Sequence, residues 1–354
     1  MTRLHVFVGG GGVGKTTLSA GYALALAQSG RRVGLLGIDP AKRLQSALGL
    51  SLPDLEVLVP GSGELRAALL RPAECLRRWA SEATTDAAAR ERLQQNAFFL
   101  ALADRLAGAS DLLAAVRIAE WAERDPSMTD LVVDTAPGLN AVEFLGRPQS
   151  LVAFLEGRLV TWLRWLAKGK SGVLGTFARS GASVLGGLAR VGGTKMLFEL
   201  ADFLLLVEDV FEKMLTRLEA AQKWLRSADT NIIIVTAVRE DTASSVGQLT
   251  AALKQVAVPP AAIVVNRALP ASLDRELEPI DVTTFPSELA ATLRFARGYA
   301  QMQARVVTAV AAFAPVVVVV PAAPAADDAT RLLTLRGLGE HLVKALPLGR
   351  SSTR

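Results

Sequence analysis

A strand that runs straight into a glycine loop, and from there into a helix, constrains this chain more than any other feature. LHVFV (residues 4–8) is apolar and rich in β-branched and aromatic types, GGGGVGKT (9–16) follows at once, and TTLSAGYALALAQSG then carries a helical pattern that Gly30 stops. Gly9-x-x-x-x-Gly14-Lys15-Thr16 is the phosphate-binding loop pattern, set between a strand and a helix as its mechanism requires. Glycines let successive backbone N–H groups curl around an anion. The helix that starts at Lys15 points its positive end at the same anion. Lys15 is suited to neutralise β- and γ-phosphate charge, and the Thr16 hydroxyl to reach Mg²⁺.

The rest of the chain repeats the strand-then-helix theme. RRVGLLGID (31–39), TDLVVDTAP (129–137), NIIIVTAV (231–238), AAIVVN (261–266) and PVVVVVP (315–321) read as further strands. Continuous β-branched runs of this kind belong to a parallel sheet covered on both faces. The expected fold is therefore α/β, a doubly wound and mostly parallel sheet, with 1–354 forming one nucleotide-binding domain. Two segments break the rhythm, about 62–125 and 146–226, and both read as helical insertions. In the second, Leu151, Leu155, Leu159, Trp162 and Leu166 form one apolar stripe, followed by a glycine-rich stretch over 172–193. The expectation is a helical subdomain outside the sheet.

Charge and cysteine content exclude several functions. The chain has 39 Lys and Arg against 34 Asp and Glu, a net charge of +5 spread without runs, so a nucleic-acid groove is not indicated. The lone cysteine, Cys75, excludes an internal disulfide and a Cys-based zinc site within one chain, and its helical context predicts a packed thiol. Residues 306–326 carry no charge, but Pro315 and Pro321 divide them into a helix ending near Phe313 and a strand Val316–Val320, so no membrane span is expected. MTRLHVFVGG has no signal-peptide architecture, and a cytoplasmic protein is expected.

Three side chains at strand ends complete the reading. Asp134 closes LVVD, the position and type for holding Mg²⁺ through water. Asp39 closes the neighbouring strand, where a carboxylate can face the γ-phosphate and orient a water; capping the next helix is its structural alternative. Asn266 ends a late strand with an amide suited to an adenine edge, or to a turn.

In combination, GGVGKTT, IDPA, DTAP and VVN resemble the ATPases that drive arsenical pumps (ArsA) and their relatives that target tail-anchored membrane proteins, above all the single-domain bacterial branch. GASDLLAAVRI, AVEFLGRP and LRGLGEHL extend the resemblance over most of the chain. The resemblance implies Mg-ATP-dependent dimers. It assigns Gly11, Gly12, Val13, Gly14, Lys15, Thr16 and Thr17 to phosphate and magnesium. It assigns Asp39 to water activation, Thr16, Asp39 and Asp134 to the magnesium shell, Asn266 to adenine, and Pro137 to the start of a second switch. It also implies a hydrophobic membrane-protein client on the apolar helical layer, and hence peripheral contact with a membrane.

The chain departs from that pattern at three places. Gly10 stands where relatives carry a lysine that reaches the partner's nucleotide. Gly138, Leu139 and Asn140 stand where relatives often carry Thr-Gly-His, and the metal-binding cysteines are absent. Missing thiolates weigh against an arsenite pump. Gly10 predicts hydrolysis that is slow or dependent on another chain, and keeps a second reading open: a hydrolysis-impaired regulatory subunit in a heterodimer with a related ATPase. A Min/Par-type positioning ATPase fits less well, because the helical insertions are long.

Overall fold

The structure is a computed structural model that describes residues 2–39, 43–84, 86–106, 110–137, 203, 206, 210–270, 272–323 and 330–346. Along the chain the strands are β1 Arg3–Gly9, β2 Val33–Gly37, β3 Val57–Leu58, β4 Leu65–Leu69, β5 Asp130–Asp134, β6 Thr230–Ala237, β7 Pro260–Ala268 and β8 Val317–Pro321. The helices are α1 Lys15–Gln28, α2 Arg43–Leu48, α3 Pro72–Ala83, α4 Ala87–Gln95, α5 Ala97–Leu106, α6 Ser110–Arg124, α7 Thr242–Gln255, α8 Leu273–Leu277, α9 Ser287–Val310 and α10 Arg331–Ala345. Two compact units result. Residues 1–70, 121–146 and 222–354 make the first; 71–120 and 147–221 make the second.

The first unit holds one sheet in the order β3-β4-β2-β5-β1-β6-β7-β8, parallel throughout except for the β3–β4 pair. Its central strands are buried almost throughout: Leu4, Val6, Phe7 and Val8 on β1, and Leu131, Val132 and Val133 on β5, have no measurable exposure. Burial on both faces is why these strands read as unbroken apolar runs. The α/β architecture expected from the sequence is the one observed.

One helix–helix contact in this unit is unusually close. A Cβ on Gly339 of α10 would collide with the Gly21 carbonyl of α1, and one on Gly21 would meet the Leu335 carbonyl. Backbones can approach this closely only where no side chain intervenes. The uncharged stretch near the C-terminus divides at its prolines: α9 ends at Val310 and β8 starts at Val317. Among the described residues no helix is long and apolar enough to cross a membrane.

The reading of 62–125 as wholly helical needs correction. Leu65–Leu69 is β4, in parallel register with β2 from Val33↔Leu65 to Gly37↔Leu69. Leu65, Ala67, Ala68 and Leu69 are buried, and the sheet position overrides the helical preference of LRAAL. The helix begins only at Pro72, whose ring suits a first helical position and whose clash with the preceding residue keeps Arg71 extended. Further on, Asn96 divides the helical run into α4 and α5; its side-chain oxygen accepts from the amides of Phe98 and Phe99 as an N-cap does.

The second unit, where described, is helical: α3, α4, α5, most of α6 and residues 210–221. Cys75 is fully buried there, as expected for a packed thiol. Glu120 is fully buried between Arg78 and Arg117, which hold it ionised against the cost of burial. The stripe from Leu151 to Leu166 and the glycines over 172–193 lie outside the described residues.

Candidate functional site

The ends of β1, β2 and β5 converge. Phe7 and Gly37 both stand opposite Asp134 in register, so the loop after β1 and the segment after β2 leave the sheet beside the same residue. The Thr135 hydroxyl donates to the Phe7 carbonyl at 2.8 Å and ties β5 to β1 just before the loop. Carboxyl ends of parallel strands are where open α/β sheets place their ligands.

The glycine loop takes its shape from some of its glycines and not from others. Gly9 (φ +148°) abuts the Val235 backbone, so a Cβ there would strike the Val235 carbonyl oxygen. Gly14 (φ +94°) is the N-cap of α1, which has no side-chain cap. The first amides of α1 are thus left for an anion. Gly10 is different: its φ is not positive, and a Cβ would meet only the Val13 side chain, at 3.8 Å.

A cavity of about 710 Å³ opens above this loop. Gly12, Gly14, Lys15, Thr16 and Thr17 form its floor, and Asp39 and Arg43 stand after β2. Thr135, Arg267 and, from α10, Arg331, Thr334 and Leu335 add to the wall. Lys15 donates to the carbonyls of Gly9 (3.0 Å) and Gly10 (2.9 Å). Burial lowers its pKa, opposed by the charges of Asp134 and Asp39 and reinforced by that of Arg43.

Asp134 lies at 1 % exposure, and one carboxyl oxygen, Oδ1, is buried with no hydrogen-bond partner. Burial raises its pKa to about 6, although the Thr16 hydroxyl, the Lys15 charge and the Ser19 hydroxyl all favour the carboxylate. A desolvated, incompletely satisfied carboxylate is costly unless something else completes it. Oxygen donors from Thr16, Asp39 and Asp134 form the hard set that Mg²⁺ prefers, so the residues present fit that ion.

The residues singled out in the sequence mostly gather here. Gly12, Gly14, Lys15, Thr16, Thr17 and Asp39 line the cavity. Gly11 faces Pro137, and Val13 turns its side chain into the core. Asn266, at the end of β7, is buried, and its amide donates to the Val13 carbonyl at 2.8 Å. In this structure it braces the back of the loop. Gly138, Leu139 and Asn140 lie outside the described residues.

The sequence reading missed Arg43, Arg267, Arg331 and Thr334. Arg43 stands only four residues past Asp39 and could have been found by following that segment. Arg267 reaches the cavity because β7 shifts register between Val265 and Ala268 and Arg267 adopts φ +59°, which no pattern of residue types announces.

A parallel α/β sheet, a glycine loop capping α1 and two acids at neighbouring strand ends define a P-loop nucleotide-binding protein. Family comparison narrows the class: residues 2–281 match the anion-transporting ATPase (ArsA) family, and the chain belongs to it. It is similar to the ATPase ARSA2 of Chlamydomonas reinhardtii, 32% identical over 205 residues, covering 56% of this chain and 50% of that one. It is similar also to the ATPase GET3 of Mycosarcoma maydis, 30% identical over 152 residues (42% and 44% of the two chains). An arsenical pump-driving ATPase of Acidiphilium multivorum matches at 27% identity over 159 residues, 42% of this chain and 26% of that one. The chain thus spans half or less of the length of these relatives.

Proposed function

We propose that this protein is a Mg-ATP-dependent ATPase that works as a dimer and couples nucleotide state to the handling of a hydrophobic membrane-protein client. The observation that carries the nucleotide part is the partnerless Asp134 oxygen buried beside Lys15 and Thr16, at the mouth of a loop whose helix has no side-chain cap. Loop amides and Lys15 would hold the β- and γ-phosphates. Thr16, Asp39 and Asp134 would hold Mg²⁺, which when bound spreads and neutralises charge on the phosphate oxygens. Asp39, in the cavity wall, would orient the attacking water and accept its proton. Asn266 would serve the adenine end with the amide oxygen its bond to Val13 leaves available.

The client part rests on the family resemblance and on the apolar composition of 146–226, most of which lies outside the described residues. A second reading is favoured by Gly10. If the missing lysine cannot be replaced within the chain, the protein is a nucleotide-bound regulatory partner of an intact ATPase.

Steady-state Mg-ATP hydrolysis over a range of protein concentrations, with Lys15→Ala as blank, separates the readings. Turnover that rises more than linearly with concentration supports a working homodimer. Tight ATP binding with no turnover above the blank supports the regulatory partner. Absence of ATP binding overturns both.

A further inference from the structure

Four cationic side chains, Lys15, Arg43, Arg267 and Arg331, line the cavity. Arg43 is the arginine placed among the acids. Its Nη1 lies 3.9 Å from Asp39 Oδ2, and Asp134, Asp39 and Arg43 are the charges that act on Lys15. Lys15, Arg43 and Asp39 therefore share one end of the cavity, with the buried Asp134 beside Lys15, and the formal charges of the four groups cancel. Arg267 and Arg331 come instead from β7 and α10.

A terminal phosphate brought to this end meets the Asp39 carboxylate, and like charges repel. Lys15 sits on the loop floor, bonded to Gly9 and Gly10, and meets the β- and γ-phosphates from that side alone. Arg43 stands with Asp39 in the wall that follows β2. Its side chain is 58% exposed, and its contact with Asp39 is longer than a hydrogen bond, so little is lost when the guanidinium turns toward another anion. A planar fork of donors suits paired phosphate oxygens better than a point charge does.

We propose that Arg43 contacts the terminal phosphate of a bound nucleoside triphosphate, offsets its repulsion from Asp39, and so makes the site prefer triphosphate over diphosphate. The proposal rests on the reading of the cavity as a Mg-ATP site.

Calorimetric titration with Mg-ATPγS and with Mg-ADP tests it on the full chain, comparing the native protein with Arg43→Gln and Arg43→Lys. Arg43→Gln should weaken ATPγS binding about 10- to 100-fold, the size of a lost charge-assisted contact, and change ADP affinity less than about twofold. Arg43→Lys should recover part of the loss. An unchanged ATPγS-to-ADP affinity ratio in Arg43→Gln, or equal loss of both ligands, overturns the role of Arg43 alone. Failure of the native protein to bind either nucleotide overturns the Mg-ATP reading and the proposal with it.

Discussion

Gly9 and Gly10 are neighbours in the loop and carry opposite constraints. Gly9 has a positive φ and lies against the Val235 backbone, so no side chain fits without moving β1 from β6; Gly10 opens toward the Val13 side chain at ordinary contact distance. Gly9→Ala should therefore cost about 3 kcal/mol or more, as strain at a special backbone position does, while Gly10→Ala stays within about 0.5 kcal/mol. Urea unfolding monitored by circular dichroism separates the two. The run of four glycines is thus not one steric requirement, and Gly10→Lys should fold as the native chain does. Such a variant tests directly whether the missing lysine limits turnover: a rise in Mg-ATP hydrolysis is the expected result. Asp39→Asn should act on the reaction and not on the fold. It should keep ATP affinity within a few-fold and lower kcat about 100-fold or more, the usual contribution of a positioned base. A drop in affinity with unchanged kcat would reassign Asp39 to binding.

At the scale of elements, the α1–α10 crossing shows how the loop is held. α1 begins at the site and α10 supplies Arg331, Thr334 and Leu335 to the cavity wall, so their packing at Gly21 and Gly339 fixes two walls relative to each other. Gly339→Ala should force the helices apart, cost about 1–3 kcal/mol by overpacking, and weaken nucleotide binding although residue 339 is not in the cavity lining. A variant with native stability and native ADP affinity would show that the crossing is tolerant. Elements with continuous apolar runs were legible in the sequence, because β1, β2, β5, β6 and β7 are buried on both faces; the edge strand β8, buried mainly on one face, was marked by its run of valines bounded by prolines. β4 was not, because LRAAL leads through Leu70 and Arg71 into the helical pattern of ECLRRWA, and only Pro72 marks the change. The acids at the ends of β2 and β5 were readable from strand ends alone. Arg267 and Arg331 were not, since their arrival at the cavity depends on a register shift and on the docking of α10.

The whole molecule balances two buried acids of opposite character, one at each end of β5. Asp130 starts the strand and is fully buried, with Arg3 at 3.1 Å, His5 at 3.1 Å and Arg31 at 3.3 Å. Burial alone would raise its pKa, but the His5 hydrogen bond, the Thr129 hydroxyl and the Arg3 charge outweigh it, and the net shift is downward. Burial lowers the His5 pKa in turn, so His5 is a neutral donor at pH 7. Both groups then favour the fold at neutral pH. The His5 share is complete above its ordinary value of 6.5 and the Asp130 share above 3.8, and each is lost as pH falls through the lowered folded value. Asp134 ends the strand and runs the other way. Its pKa is raised to about 6, so its share is present below 3.8 and is lost as pH rises through about 6. Urea midpoints of the ligand-free protein should therefore fall on acidification below about pH 4, while Asp134→Asn should raise the midpoint at pH 7, where the native acid is ionised without a full set of partners. Asp130→Asn should cost about 3 kcal/mol or more at pH 7, because it leaves Arg3 and Arg31 facing a neutral amide, and should flatten the acid limb. Saturating Mg-ATP should stabilise the native chain at pH 7 and give little to Asp134→Asn, since the group it completes is gone. Equal stabilisation of both proteins would separate Asp134 from the magnesium shell.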